Sequence, residues 1–246
     1  NIDTDTEEIK NLSHSFKAML AEIKVLIKKI EDNQKKLRKS ELQILQAQIN
    51  PHFLYNSLDT IIWLGEKEEH EKVVDMTSCL AKYFRLSLSK GREVIDIYTE
   101  IQHVRHYLLI QKIRYEKKLS FSIDVDPEIY DYMVIKIILQ PLVENALYHG
   151  IKDQKYGGHI QISGQKVGEE IVLTVEDNGK GMTQEQIDKI LTGYIPNSIT
   201  TGGVAVKNVH QRLQIYFGED YGLEYESKIG KWTKVFVRIP AIREEL

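Results

Sequence analysis

Apolar residues recur at alternating spacings of three and four from the start of the chain. They are Ile9, Leu12, Phe16, Met19, Ile23, Leu26 and Ile30, and the frame continues through Asn33, Leu37, Ser40 and Ile44. Glu and Lys are abundant on the other faces, and neither Gly nor Pro interrupts before Pro51. So narrow a seam is the pattern of a coiled coil. It cannot fold alone, so it predicts a partner helix, most simply from a second copy of the chain. The alternative is a long helix laid on its own protein's core. Asn33 and Ser40 weaken the seam locally and can fix its register.

Helical spacing resumes after Pro51 through Phe53, Leu54, Leu58, Ile61, Ile62 and Leu64, and Gly65 with the charged run Glu66–Glu71 marks a turn. A second amphipathic helix carries Val73, Met76, Leu80, Phe84 and Leu88 and ends near Lys90-Gly91. Two such helices make a hairpin, and two hairpins make a four-helix bundle. Residues 99–115 read as one more helix.

Near residue 118 the texture changes. Ser120–Val125 alternates like a strand, Met133–His149 reads as helix, and His159–Val167 and Glu170–Glu176 read as strands. Thr183–Leu191 is expected to be a short helix with Thr183 as N-cap and Gln186 at the capping-box position. A helix over Gly203–Phe217 follows, then strands Glu224–Ser227 and Thr233–Ile239 around a turn at Gly230. The fold class predicted is multidomain, α followed by α+β: a helical dimerisation stem and an α/β sandwich.

Composition narrows the function. Of 246 residues 42% are hydrophobic and 28% charged, with a formal net charge of -3, so the basic footprint of a nucleic-acid binder is missing. The single cysteine, Cys79, excludes an internal disulfide and a cysteine-rich metal site. No stretch reaches the roughly 18 apolar residues of a membrane span. The chain opens directly in a charged helical pattern, which leaves room for a membrane anchor upstream.

Three constellations carry candidate chemistry. Asp177-Asn178-Gly179-Lys180-Gly181 stands at a predicted strand end, where a buried carboxylate can accept a hydrogen bond from an exocyclic amine and glycines allow close approach. Val143-Glu144-Asn145-Ala146 sets two hard oxygen donors on a helix, suited to Mg²⁺. Thr201-Gly202-Gly203-Val204 opens a helix whose N–H groups can face an anion. Each alone fits a turn, a solvent-facing polar pair or a linker as well; their order and spacing change the balance.

Together the segments Leu139–Ala146, Val175–Met182, Gly202-Gly203 and Lys207–Leu213 resemble the GHKL ATPase superfamily. Within it, Gln46-Ala47-Gln48-Ile49-Asn50-Pro51-His52-Phe53-Leu54-Tyr55-Asn56-Ser57-Leu58 resembles the phosphoacceptor motif of LytS/YesM-type sensor histidine kinases. The resemblance covers about residues 37–240, and residues 5–30 are similar to the last helix of a HAMP-type relay.

The resemblance implies a division into a signalling helix (1–36), a dimerisation and histidine phosphotransfer domain (37–117) and a catalytic ATP-binding domain (118–246). It implies that Asp177 recognises the adenine amine, with Gly179 and Gly181 shaping that wall and Thr233 supporting it. Asn145 would ligate Mg²⁺, with Glu144 beside it. Gly203 would receive the phosphates, with Asn208 on the same helix, beneath a lid spanning 183–202. His149, one turn past Asn145, is a candidate nucleotide contact or a structural residue.

His52 would accept the phosphoryl group. A neutral imidazole carries a ring nitrogen free to act as the nucleophile. Pro51 would kink the stem beside it, and Asn56 shares its helical face. The implied activity is ATP-dependent autophosphorylation and transfer to a response-regulator aspartate. It would be carried out by a homodimer forming the cytoplasmic portion of a bacterial membrane protein, with its transmembrane sensor region upstream. Ala205 and Val206 stand where the family has a glycine and an apolar residue, Tyr148 where lysine is common, and Trp232 where a small residue precedes Thr233. Ala205 and Tyr148 motivate one alternative, a catalytically weakened dimeric scaffold; another is a GHKL ATPase that hydrolyses ATP or phosphorylates another protein.

Overall fold

A computed structural model describes residues 51–87, 93–151, 157–192 and 201–243, with Met19 and Lys28 as isolated helical positions. The coiled-coil seam otherwise lies outside the described residues, as do the backbone entering Pro51 and positions 88–92. The chain divides into two units, Asn1–Leu54 and Tyr55–Leu246.

Helices α1 (Pro51–Glu66) and α2 (His70–Ser87) match the predicted pair. On α2 the buried residues Met76, Leu80, Tyr83 and Ser87 recur at spacings of three and four, which gives one inward stripe. Tyr83 stacks on His103 of α3 (Ile97–Tyr115) with ring centroids 4.8 Å apart, and Ser87 Oγ lies 2.8 Å from His103 Nε2. Asp96 caps α3 by accepting a 2.7 Å bond from the Thr99 N–H.

The remainder is a five-stranded mixed sheet with helices on one face. Its strands are β2 (Leu119–Val125), β4 (Gly158–Val167), β5 (Glu170–Asp177), β6 (Gly222–Lys228) and β7 (Trp232–Pro240), in the order β2-β4-β5-β7-β6. The β2–β4 pair is parallel and the others antiparallel. Alternation fixes the register: Thr233, Val235, Val237 and Ile239 are buried, and so are Ile171, Leu173, Val175 and Asp177 of the neighbouring strand, where Val172 alone is buried out of phase. On the opposite face, Lys234 pairs with Glu176 at 2.9 Å and Arg238 with Glu224 at 2.8 Å, so that face meets solvent. The helical layer is α4 (Leu139–Asn145), which continues as a π-helical turn over Ala146–Ile151, with α5 (Gln184–Thr192) and α6 (Thr201–Phe217). The Thr183–Gln186 capping box forms as expected, with Thr183 N–H on Gln186 Oε1 at 2.9 Å and Gln186 N–H on Thr183 Oγ1 at 3.2 Å.

The segment Met133–His149 is not one helix. Met133–Ile135 is strand β3, paired antiparallel with β1 (Val94–Asp96), a strand the sequence pattern did not reveal. Ile137 then turns the chain at φ 60° before α4 begins. A β-branched residue in the left-handed region is strained, at a cost on the order of 1–3 kcal/mol. The strain is held by Glu100 of α3, which is fully buried. Its Oε2 accepts the Ile137 N–H and its Oε1 those of Ile138 and Leu139, all at 2.9 Å. Burial pushes the Glu100 carboxyl up in pKa, and the three N–H groups oppose that rise.

Glu100→Gln would keep an acceptor for Ile138 and Leu139 but set an amide N–H₂ against the Ile137 N–H. The loss expected in urea unfolding is on the order of 2–4 kcal/mol, and an Asp96→Ala variant, which loses a helix cap, would lose only about 1 kcal/mol.

Candidate nucleotide site

A cavity of about 240 Å³ opens between the C-terminal end of α4 and the end of β5. Helix α4 supplies its last residue, Asn145, and the π-helical turn supplies His149 and Gly150. The β5 end gives Asp177, the following loop Lys180, Gly181 and Met182, helix α5 Gln186, Lys189 and Ile190, and β7 Thr233. The π turn follows the i→i+5 pattern of a widened helix, and Asn145 and Gly150, which stand that far apart, both reach the cavity.

Asp177 brings a buried carboxyl group to the cavity wall. It is 5% exposed, and its Oδ1 accepts the Gly179 N–H at 2.8 Å. Two glycines give it room. A Cβ on Gly150 would come within 2.5 Å of Asp177 Oδ1, and one on Gly179 would strike the same oxygen and the Gly150 backbone at 2.6 Å. Burial pushes the Asp177 carboxyl up from 3.8 to about 6, opposed by the Gly179 N–H and reinforced by the charge of Glu176. Its Oδ2 accepts no hydrogen bond from the described residues, so this acceptor is left for a donor in the cavity. Thr233 is paired with Asp177 across β5–β7, and its buried hydroxyl lies 3.2 Å from Ser227 Oγ. Ser227 Oγ also accepts the Met182 N–H at 2.8 Å, so one serine ties the loop to the sheet. Gly181 sits at φ 67° with the Lys228 carbonyl against it, a position closed to a side chain.

Glu144 does not line the cavity. It is turned to a buried polar group, where Gln140 Nε2 donates to its Oε1 at 2.8 Å and the Tyr107 hydroxyl also bonds to it. Burial raises its pKa, and the two hydrogen bonds oppose that rise. Tyr83 is pushed up to about 12 and Tyr107 well above its ordinary value by burial, so both stay protonated donors across the physiological range.

Of the expected residues the structure thus gathers Asn145, His149, Asp177, Gly181 and Thr233 around one cavity, with Gly179 directly behind Asp177. Gly202 and Gly203 fall in the first turn of α6, which begins at Thr201, so the expected lid loses its last two positions to that helix. Residues 193–200 lie outside the described residues. Asn208 is exposed on α6 and is not in the cavity wall. His52 is exposed on α1, and Asn56 is four residues further along that helix with its Nδ2 buried and unpaired among the described residues. Sequence reading missed Gly150, Lys180, Met182, Gln186, Lys189 and Ile190 as cavity residues. Gly150 passes for a helix stop, and Lys189, ion-paired with Glu185 at 2.6 Å, passes for a helix-surface charge.

Residues 40–119 match the family model described as histidine kinase. Residues 131–243 match that of the histidine kinase-, DNA gyrase B- and HSP90-like ATPases. The chain is 33% identical to an uncharacterized Bacillus subtilis protein, YwpD, over 94% of this chain and 82% of that one. It is 34% identical to the sensor histidine kinase YesM of the same organism, over 97% of this chain and 40% of YesM. The chain belongs to the sensor histidine kinases of the LytS/YesM type. It spans about two fifths of the length of YesM. Among solved structures, the catalytic domain of histidine kinase ThkA is 17% identical with a TM-score of 0.47, covering 61% of this chain and 95% of that one.

For a histidine kinase the raised Asp177 pKa has a readable consequence. The fold favours the protonated carboxyl, so its contribution to stability is full below about 4 and is lost as pH rises through about 6. Above that pH the ionised form costs up to roughly 3 kcal/mol. Asp177→Asn keeps the acceptor for Gly179 and removes the charge. In thermal scans without nucleotide at pH 7.5, the wild type should melt several degrees below this variant, and the gap should close near pH 4. The same scans with ATP should show stabilisation of the wild type only.

Proposed function

We propose that the protein is an ATP-dependent protein histidine kinase that phosphorylates its own His52 and passes the phosphoryl group to an aspartate of a response regulator. The observation that carries this reading is the cavity itself: a buried carboxylate with a spare acceptor, flanked by bare glycine backbone, shares with Asn145 a space lined by Lys180 and Lys189. Asp177 Oδ2 accepts from the adenine amine, and Gly179 and Gly181 keep the wall open. Thr233, held by Ser227, supports the base. Met182 and Ile190 give the apolar contact, and the lysines with His149 offset phosphate charge. The N-terminal turn of α6, with Gly203, is assigned to the phosphates, and Asn208 to the same helix's polar surface.

Asn145 offers a side-chain oxygen at the cavity wall, a hard donor suited to Mg²⁺, and Glu144, the next residue but outside that wall, is assigned to orient it. When bound, Mg²⁺ neutralises charge on the transferring phosphoryl group. In the transfer, a ring nitrogen of His52 forms the N–P bond as the β–γ bridging P–O bond breaks. That electron pair leaves with ADP, and the other ring nitrogen sheds its proton. The exposure of His52 on α1 is what an acceptor needs. Asn56 is assigned to orient its ring.

The domain division 1–36, 37–117 and 118–246 is part of the same reading. So is a homodimer whose α1–α2 hairpins build a four-helix bundle: on α1, Tyr55, Leu58, Ile62 and Trp63 are 66%, 43%, 61% and 42% exposed, an apolar stripe that the other described residues leave open. We further assign the chain to the cytoplasmic side of a membrane-anchored receptor; among the described residues no helix is long and apolar enough to cross a membrane. Tyr148, Ala205 and Trp232 favour a second reading, a scaffold that binds nucleotide weakly.

Incubation with γ-labelled ATP and Mg²⁺ separates the two. Acid-labile, base-stable label is expected on the wild type, absent from His52→Ala and reduced roughly a hundredfold or more in Asn145→Ala. Label persisting in His52→Ala refutes the acceptor assignment, and no label together with no ATP binding favours the scaffold.

A further inference from the structure

Glu144 is reached by two hydrogen-bond arms that start on different helices. In one, the Tyr83 hydroxyl on α2 donates to Gln140 Oε1 at 3.1 Å, and Gln140 Nε2 donates to Glu144 Oε1 at 2.8 Å. In the other, Gln111 Nε2 donates to the Tyr107 hydroxyl at 2.8 Å, and Tyr107 is a hydrogen-bond partner of Glu144. Both bonds of the Tyr83 arm run from donor to acceptor toward the carboxylate, and bonds aligned this way reinforce one another. Tyr83, Tyr107 and Gln111 are at most 2% exposed and Gln140 is 7% exposed, so water has little access to replace a lost partner.

The arms differ in reach. Gln111 and Tyr107 both stand on α3, and Gln111 Oε1 is buried without a partner among the described residues, so that arm ends where it began. The Tyr83 arm crosses to the helical hairpin. One turn further along α2, the Ser87 carbonyl accepts from Lys136 Nζ at 2.9 Å, which moors the same stretch of α2 to the turn entering α4. An amide has two chemically opposite ends, and the Tyr83 hydroxyl fixes which end Gln140 turns to Glu144. Without it the amide is free to rotate, and a rotated amide sets its oxygen against the carboxylate.

We propose that Tyr83 is a positioning residue for Glu144, so that the seating of α2 in the hairpin sets the orientation of a carboxylate next to Asn145, the residue assigned to Mg²⁺. The functional half of this inference rests on the kinase reading above; the hydrogen-bond chain does not.

The test uses the full chain and Tyr83→Phe, which keeps the ring stacked on His103 and removes one oxygen. Autophosphorylation kcat should fall roughly 3- to 30-fold, with KM for MgATP unchanged within about twofold. Gln140→Met should reproduce the effect from the other side of the bond, which covers a failure of the first variant to fold. In a Glu144→Ala background Tyr83→Phe should change nothing further, because no carboxylate is left to position. A merely structural loss would persist in that background, and this outcome overturns the proposal, as does an unchanged kcat. Proton exchange of the Gln140 side-chain amide, followed by NMR, needs no activity. It should quicken about tenfold or more in Tyr83→Phe, and equal protection in both proteins refutes the chain outright. If the wild type neither labels nor binds ATP, the kinase reading has failed, and the amide exchange alone decides on the link.

Discussion

The buried carboxylate of Glu100 is the constraint on which the site depends. Helix α4 is seven residues long and begins without a side-chain cap of its own. Its first N–H groups would be orphaned in an apolar interior, a cost of several kcal/mol if left unmet. Glu100 meets three N–H groups there from another helix, and in doing so it fixes both the strained Ile137 and the axis along which Glu144 and Asn145 are displayed. Arg212 of α6 adds a bond to the Lys136 carbonyl at 2.9 Å, so the same corner is clamped from a third helix. A short helix carrying two candidate site residues is thereby held in place by its surroundings rather than by its own length.

The cavity follows the opposite principle. Where α4 is fixed by added bonds, the Asp177 wall is defined by atoms left out. Gly150, Gly179 and Gly181 remove side chains from the places where the chain runs closest to the carboxylate or to the β6–β7 turn. A desolvated acid with an unfilled acceptor is unfavourable in the empty protein, and the stability given up there is returned when a matching donor enters. On the proposed reading, recognition of an exocyclic amine is built from one desolvated carboxyl and a bare backbone rather than from many contacts.

Much of this was legible in the sequence, and the misses have physical causes. The Thr183–Gln186 box was readable because both partners lie within four residues, where local chemistry decides the structure. Asp177 and Gly179 were readable only through the order and spacing of all three constellations, because a strand end followed by glycines fits an ordinary turn equally well. Strand β3 was not: three apolar residues have no period, and they ran unbroken into a helical pattern. The break at Ile137 contradicts that residue's own preference and is imposed by Glu100, 37 positions away. Gly150 was invisible because its role is to be small beside Asp177, a contact that only the fold creates.

The bond between Tyr83 and Gln140 spans 57 positions and belongs to no periodic pattern. It nevertheless places the hairpin and the ATPase-family layer in one polar network. Apolar packing between α2 and α3 tolerates small sliding, because its energy varies smoothly with area. A hydrogen bond between two buried groups does not: it is made or lost within a few tenths of an ångström, and the loss leaves a desolvated donor and acceptor behind. On the proposed reading, a contact of that kind, set between α2 and the segment bearing Glu144 and Asn145, would make a shift of α2 a choice between two arrangements of the site rather than a graded change.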